Sequence, residues 1–299
     1  MRAFLAVIAC VSSQLAAPAL AQRGGKTSLS AEQVRTAISD AREFLLSKQS
    51  PRNGTWTGME MYPGGVTGLC TLALLNSGVP ATHPQIQKSL TYLRALEAKK
   101  TYSVSLQTMA LCAAQPQRDM PIIQRNVRWF EQTQLKQGQR KGAWSYPENM
   151  PIGADNSNSQ FALLALHEAE RVGAEVNIET WRMAAAYWKK CQNADGSWGY
   201  QMDYPGTGSM TCAGIGATVI CAGKVAAASA LVEDGRVTCC APREEDDSLE
   251  RALVWLGRNF RVRRNPGHPG LGNAWHLYYL YGLERVGRLT ARRFIGDHD

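Results

Sequence analysis

Hydrophobic positions follow a helical period along the chain, and they form two alternating kinds of segment. In residues 30–49, apolar residues such as Val34, Ile38 and Leu45 share one face, which predicts an outer helix. In residues 65–77, small and apolar residues occupy the whole circumference, which is typical of a helix buried on all sides. The predicted outer helices are 30–49, 83–96, 120–134, 178–192 and 248–260, and the inner ones are 65–77, 103–114, 156–172, 208–222 and 274–286.

These segments form five outer–inner pairs of about fifty residues each, a period typical of stacked helical hairpins. Ser30, followed by Glu32 and Gln33, forms a capping-box pattern at the first helix start. No part of the pattern requires a strand. The uncharged stretch 206–223 contains five glycines and several hydroxyl residues, so it favours a buried helix over a membrane span. The sequence therefore predicts an all-α domain over residues 22–299.

Glutamine, glycine and tryptophan recur in the same order after three outer helices. Gln192, Gly196 and Trp198 are the clearest set. Upstream sets are Gln49, Gly54 and Trp56, and Gln134, Gly142 and Trp144. The order resembles the QW motifs of squalene-hopene cyclases.

The alternating helices likewise resemble the α/α toroid that these cyclases share with protein prenyltransferase β subunits. The resemblance covers nearly the whole chain after its first residues. It implies that the aromatic ring stacks on the end of the glutamine-bearing helix and ties neighbouring outer helices together. The residues to which it gives this structural role are Gln49, Trp56, Trp144, Gln192 and Trp198.

The family's closed toroid has six hairpins, whereas this pattern gives five. Three explanations stay open at this point. The ring is open, or a protein partner closes it, or the reading frame is a truncated part of a longer protein.

The first residues have the features of a secretory signal. Arg2 precedes an apolar run, and Ala19 and Ala21 form a small-residue cleavage site. We therefore predict a signal peptide over residues 1–21 and an exported, periplasmic or extracellular protein. A lipoprotein box ending at Cys10 is disfavoured because the apolar region before it is too short.

Composition adds two limits. A hydrophobic content of 44% over 299 residues allows a large core and argues against disorder. The formal net charge is +8, with many arginines near the C-terminus. A solvated basic face is favoured there over a surface for an acidic partner or anionic lipid. No nucleic-acid partner is predicted.

The cysteines separate into two groups. Five lie among apolar helical residues, where a free cysteine behaves as a small hydrophobic side chain: Cys70, Cys112, Cys191, Cys212 and Cys221. Cys239 and Cys240 lie in a loop before an acidic run, where an exported protein can form a disulfide. The sequence names no partner for that pair.

Cyclases of this family that protonate an alkene carry an Asp-x-Asp-Asp-Thr-Ala motif at the start of an inner helix. Here Asp155 matches the first acid, but Ser157 occupies the position of the proton donor and Asn158 that of the third acid. A serine hydroxyl cannot protonate an alkene. The resemblance leaves Asp155 and Asn158 as candidate catalytic residues, while a helix-capping role for Asp155 is favoured.

Prenyltransferase β subunits hold zinc with an aspartate, a cysteine and a histidine. The resemblance places Cys212 and His276 at the starts of two inner helices, and Asp203 lies on the loop before the first. Met210 stands where the aspartate is expected. Zinc therefore remains an alternative, and a hydrogen-bonded pocket or core role for His276 is favoured because a catalytic zinc needs three protein ligands.

Aromatic residues concentrate at inner-helix starts and in turns. They line a central cavity for an isoprenoid-like ligand, or they fill the hairpin ends as ordinary packing, and both readings stay open. The candidate ligand-binding residues are Tyr102, Tyr204, Trp275, Tyr278 and Tyr279, with Tyr62, Tyr146 and Tyr200 in turns.

Two functional hypotheses follow. The first is an exported toroid that binds a hydrophobic ligand or a protein partner without cyclase activity. The second is an enzyme of isoprenoid metabolism, a terpenoid cyclase or a prenyltransferase-like protein that uses zinc. Phosphate-binding loops, nucleophile elbows and HExxH pairs are missing from the sequence, so nucleotide chemistry, serine hydrolysis and zinc proteolysis have no motif support.

Overall fold

A computed structural model describes residues 29–146, 153–228, 231–233, 236–238, 247–267 and 274–298. The fold is all-α, as predicted. The helices are α1 (Ala31–Lys48), α2 (Gly65–Asn76), α3 (Pro84–Ala95), α4 (Thr101–Ala114), α5 (Pro116–Thr133), α6 (Asn156–Arg171), α7 (Ile178–Lys190), α8 (Gly208–Ala228), α9 (Ser248–Arg258) and α10 (His276–Thr290). The signal peptide predicted over 1–21 and the Cys239–Cys240 pair lie outside the described residues.

The even-numbered helices form the interior. In chain order, α2, α4, α6, α8 and α10 each contact the next, and the odd-numbered helices pack outside them. Helix α4 is buried from Thr101 to Cys112, whereas α1 has no buried residue. The predicted inner and outer roles therefore match the packing, and closure into a toroid stays a prediction.

Three local features differ from the sequence prediction. Helix α5 begins at Pro116, not at 120, because proline is favoured at the first helical position, where no N–H is needed. Helix α8 continues to Ala228, beyond the predicted end at 222. The strands β1 (Leu231–Glu233) and β2 (Arg236–Thr238) form a short antiparallel hairpin that the pattern did not require.

Helix α8 contains one segment that is long and apolar enough to cross a membrane. That segment is Gly208–Val225, and 67% of it is buried inside the protein. The core helix of a soluble protein passes the same test, so this burial agrees with the predicted inner helix.

The cysteines predicted for the core are there. All five are free and buried: Cys70, Cys112, Cys191, Cys212 and Cys221. Burial raises the pKa of the Cys70 thiol to about 12 and that of Cys191 to about 11. These thiols are neutral, which is typical of structural rather than reactive cysteines.

Each motif glutamine joins the end of one outer helix to the start of the next. Gln134 follows α5, and its Nε2 donates to the carbonyl oxygens of Gly142 at 3.1 Å and Thr180 at 3.0 Å. Gln49 and Gln192 make the corresponding pairs of bonds. Their acceptors are Gly54 at 3.0 Å and Gln85 at 2.8 Å, and Gly196 at 3.0 Å and Ser248 at 2.7 Å.

Each motif tryptophan bonds to the outer helix that precedes it. The Trp144 indole N–H donates to the Phe130 carbonyl at 2.9 Å, four residues before Gln134. The same spacing recurs twice, with Trp56 to Leu45 at 2.8 Å and Trp198 to Trp188 at 3.0 Å. The indoles thus donate to carbonyls in the last turn of these three outer helices, where carbonyls lack the full set of intrahelical partners.

The motif glycines let the turn approach the next outer helix. Gly54, Gly142 and Gly196 have φ values of +71°, +95° and +90°. A Cβ at Gly142 would lie 2.6 Å from the carbonyl carbon of Met183 on α7, and one at Gly196 would lie 2.6 Å from the carbonyl oxygen of Arg251 on α9. Only glycine fits this conformation and this spacing.

The sequence analysis missed a further part of each junction. The backbone N–H of each motif tryptophan donates to a hydroxyl in the first turns of the following inner helix. The acceptors are Thr67 at 3.3 Å, Ser159 at 3.0 Å and Thr211 at 3.3 Å. A hydroxyl residue recurring 11 to 15 positions after each tryptophan is the signal that was available.

The junction between α3 and α5 lacks the motif and uses charge instead. Arg94 forms a two-pronged ion pair with the buried Asp119, through bonds of 2.7 and 2.9 Å. Gln107 from the inner helix α4 donates to the carbonyl oxygens of Leu93 and Leu96 at the end of α3. The carbonyl oxygens at the end of α3 are therefore bonded by residues of a different kind from those at the motif-bearing helix ends.

Candidate functional site

Aromatic rings from separate inner hairpins meet at the N-terminal ends of the inner helices. Tyr62 lies just before α2, Tyr102 near the start of α4, Phe161 in α6 and Tyr278 in α10. Successive ring centroids are 5.8, 4.8 and 6.2 Å apart, and the Phe161 and Tyr278 rings stack with planes 16° apart. These separations are typical of favourable aromatic pairs.

The hydroxyl groups of this cluster bond mainly to polar residues at the start of α6. Tyr102 pairs with Ser157, and Tyr278 donates to Gln160. The Tyr146 and Tyr200 hydroxyls lie 2.8 Å apart. We call the set the tyrosine cluster, and its members are Tyr62, Tyr102, Tyr146, Tyr200, Tyr278, Phe161 and Asp155.

Asp155 is the carboxyl group of the cluster. It is fully buried and is the N-cap of α6, because its Oδ1 accepts the Asn158 backbone N–H at 2.8 Å. Its Oδ2 accepts the Asn158 side-chain amide at 2.9 Å and the Tyr200 hydroxyl at 2.8 Å. The capping role favoured by the sequence is therefore present.

The charge of Asp155 has no cationic counterpart among the ion pairs in the described part of the chain. Burial is the main cause that raises the pKa of Asp155 above its ordinary value, and the hydrogen bonds from Asn158 and Tyr200 act in the opposite direction. Desolvation disfavours a carboxylate, whereas donated hydrogen bonds favour it. A catalytic role for Asp155 or Asn158 stays a prediction.

The phenols of the cluster are held neutral. Burial raises the pKa of Tyr102, Tyr146 and Tyr200, and the nearby Asp155 raises each further. Neutral phenols both donate and accept hydrogen bonds. The cluster therefore combines apolar aromatic rings with neutral hydroxyl groups.

The predicted ligand-binding residues do not all belong to this cluster. Tyr102 and Tyr278 do, but Tyr204 is 52% exposed on a turn. Tyr279 is buried on another side of α10, since a Cβ at Gly208 would lie 2.7 Å from its ring. Trp275 is half-buried and caps α10 with a φ of 62°.

The cluster also includes residues that the sequence analysis did not single out. Phe161 is the main one, and Gln160 beside it accepts the bond from Tyr278. Their signal is the run 156–160, five polar residues that open a helix otherwise typical of the core, and all five are buried. Buried polar groups need partners, so such a run indicates a polar network.

The predicted zinc residues are not brought together. Cys212 packs against α10, since a Cβ at Gly282 would lie 2.7 Å from the Cys212 Cβ. His276 Nε2 is 2.7 Å from the Val262 carbonyl oxygen, and Asp203 is exposed on a turn with a φ of 64°. The described residues contain no group of three His, Cys, Asp or Glu side chains that could hold a metal.

Two of the three residues already have other partners or places. Cys212 is a core side chain, only 1% exposed. His276 already bonds to a backbone carbonyl, the hydrogen-bonded role favoured by the sequence. Cys212, His276 and Asp203 therefore do not fit the metal that the family resemblance implied.

Comparison of the chain with models of known protein families, and with curated proteins, found no match.

Proposed function

We propose that this protein is an exported α/α toroid, related to squalene cyclases and prenyltransferases, that binds an isoprenoid-like ligand at the tyrosine cluster without cyclase activity. The observation that carries the proposal is the convergence of Tyr62, Tyr102, Phe161 and Tyr278 at one end of the inner helices. Aromatic faces bury prenyl chains well because they combine large apolar area with fixed geometry. A protein partner that closes the ring is the other occupant consistent with five hairpins.

Polar groups at the cluster suit a ligand with one polar end. The Tyr146 and Tyr200 hydroxyls lie beside the ring series and are neutral at physiological pH. A small number of placed polar groups in an apolar site fixes the orientation of a ligand. A prenyl alcohol such as farnesol has this combination of an apolar chain and one hydroxyl.

The absence of cyclase activity is proposed from the chemistry at the start of α6. Ser157 stands where the resemblance places the acid, and its hydroxyl pairs with Tyr102. Both oxygens of Asp155 accept hydrogen bonds from Asn158 and Tyr200. Asp155 serves as the N-cap of α6 and matches only the first acid of the motif, so the position of the proton donor is left to the Ser157 hydroxyl.

Farnesol titration monitored by intrinsic fluorescence tests the proposal. We expect saturable binding, and a loss of roughly fivefold in affinity for Phe161→Leu, because an aromatic contact contributes about 1 kcal/mol beyond its area. Phe130→Leu is the matched control, since Phe130 is a buried phenylalanine at an outer junction. No binding, or equal loss in both variants, would contradict the proposal.

One observation favours the enzyme alternative. The Tyr146 hydroxyl contacts Tyr200, and Tyr200 donates to Asp155, whose pKa burial raises. A buried carboxyl joined to a chain of hydroxyls is an arrangement used for proton transfer. Incubation with squalene, followed by gas chromatography, distinguishes the two, because a cyclised product that disappears in Asp155→Asn would establish an enzyme.

A further inference from the structure

We infer that the end of α9, residues 260–264 and the C-terminal segment 291–298 form a surface that docks onto an anionic phospholipid membrane. We call this surface the basic edge. It lies on the last hairpin and is separate from the tyrosine cluster, so it does not depend on the proposed ligand. The inference places the protein at a lipid surface.

The three segments of the basic edge are held side by side. Arg292 pairs with Glu250 in the first turn of α9 at 2.5 Å. Further along, a Cβ at Gly257 would lie 3.0 Å from the Gly296 Cα, and the rings of Phe260 and His298 stack 4.4 Å apart. The C-terminal segment therefore runs along α9 and brings its side chains beside those of residues 258–264.

Positive charge dominates this surface. Besides Arg292, this surface has five exposed arginines, which are Arg258, Arg261, Arg263, Arg264 and Arg293. Asp297 is the exposed carboxylate on the described C-terminal segment. Each arginine near an anionic lipid surface adds to the attraction, and guanidinium groups suit phosphate geometry.

Exposed apolar side chains lie among these arginines. Val254 is 48% exposed one turn before Arg258, Val262 is 59% exposed between Arg261 and Arg263, and Phe294 is 53% exposed. Three of the eight large hydrophobic side chains exposed in the described part of the chain are therefore on this edge. Moving such side chains from water into the boundary between headgroups and acyl chains is favourable, because it buries apolar surface.

This combination favours a membrane over nucleic acid. A nucleic-acid surface presents phosphates to arginines but leaves Val254, Val262 and Phe294 against polar backbone. A phospholipid surface offers phosphates and an apolar layer at neighbouring depths. Aliphatic side chains are also poor platforms for base stacking.

Vesicle co-sedimentation tests the inference. The protein, in the form that the expressing cell produces, is mixed with vesicles of phosphatidylcholine alone or with added phosphatidylglycerol. We expect binding only to the anionic vesicles, weakened by salt. Removing charge in the triple variant Arg261→Gln, Arg263→Gln, Arg264→Gln is expected to weaken binding on the order of 100-fold, since each basic residue contributes roughly fivefold.

Two further variants make the test specific. Arg35→Gln, Arg52→Gln, Arg118→Gln removes the same charge from exposed positions elsewhere and is expected to bind like wild type. Val262→Asn with Phe294→Ser keeps the charge, and we expect roughly tenfold weaker binding because apolar burial is lost. Circular dichroism checks that each variant folds.

Three results would overturn the inference. They are failure to bind anionic vesicles, equal loss in the two triple-arginine variants, and unchanged binding in the apolar double variant. Tighter binding to a random-sequence DNA duplex than to the vesicles, at the same salt concentration, would assign the edge to nucleic acid instead.

Discussion

At the outer junctions, motif side chains bond mainly to the backbone, whereas in the tyrosine cluster the side chains bond mainly to other side chains. Gln134 and Trp144 satisfy carbonyl oxygens at helix ends, and these bonds fix how consecutive outer helices sit. Tyr102 and Tyr278 instead bond to Ser157 and Gln160. The motif-rich region therefore connects the outer helices, and the motif-poor region is where we propose that a ligand binds.

The largest test of this comparison is Trp144→Ala. Trp144 is completely buried, and its loss removes a large apolar side chain and the indole bond to the Phe130 carbonyl, which keeps its bond from the Gln134 backbone N–H. We expect a drop of about 4 kcal/mol in the free energy of unfolding, measured in urea by circular dichroism. Trp129→Ala is the control, because Trp129 is half-buried on the same helix and should cost much less.

Glycine at the junction turn comes next. Gly142→Ala should cost about 3 kcal/mol, because the new methyl group overlaps the Met183 carbonyl at a positive φ. Gly138→Ala measures the cost of the positive φ without a steric overlap. Gly138 has a φ of +77°, and no described atom lies within 4 Å of a Cβ there. We expect about 1 kcal/mol for that variant. Thermal unfolding of both proteins measures the difference, and equal losses would show that the close contact is unimportant.

The α3–α5 junction sharpens the comparison because charge replaces the motif there. Asp119→Asn keeps the shape but weakens two bonds to Arg94, and we expect a loss of about 2 kcal/mol. Glu179→Gln is the control, since Glu179 pairs with Arg182 at the exposed surface at 3.9 Å. Urea unfolding compares the two, and a negligible effect of Asp119→Asn would mean that Gln107 alone holds this helix end.

The smallest expected effect concerns pH and the tyrosine cluster. Since burial raises the pKa of Asp155 in the folded state, the folded protein binds this proton more tightly than the unfolded chain. The stabilisation is complete below the unfolded pKa of 3.8 and is lost as pH rises through the folded pKa. The stability of wild type relative to Asp155→Asn should therefore fall as pH increases from about 4. A relative stability that increases over the same interval contradicts the raised pKa.

The period of the hydrophobic pattern was sufficient to predict the helices and their inner or outer positions. The capping box at Ser30 is also present, with bonds of 2.8 and 3.1 Å to Gln33. Local signals of this kind depend on residues a few positions apart, which is why the sequence shows them directly.

Contacts between distant residues could not be predicted in the same way. Nothing near Arg94 indicates that Asp119 will pair with it, and Tyr204 carries the same aromatic signal as Tyr102 although it is exposed. The candidate zinc residues were not brought together for the same reason: helix starts at Cys212 and His276 do not specify which faces meet. The buried polar run 156–160 was a usable signal for the cluster.

Helix α1 has no buried residue, so we expect it to unfold before the inner helices. Bonds that attach it include Trp56 to Leu45 and Gln85 to Leu46, at its C-terminal end. In a stack where each unit contacts only its neighbours, a weakly attached end opens locally at lower free energy than the middle. Amide hydrogen exchange should therefore begin in α1 and proceed inwards to α4, so that a protease attacking the native protein meets α1 first.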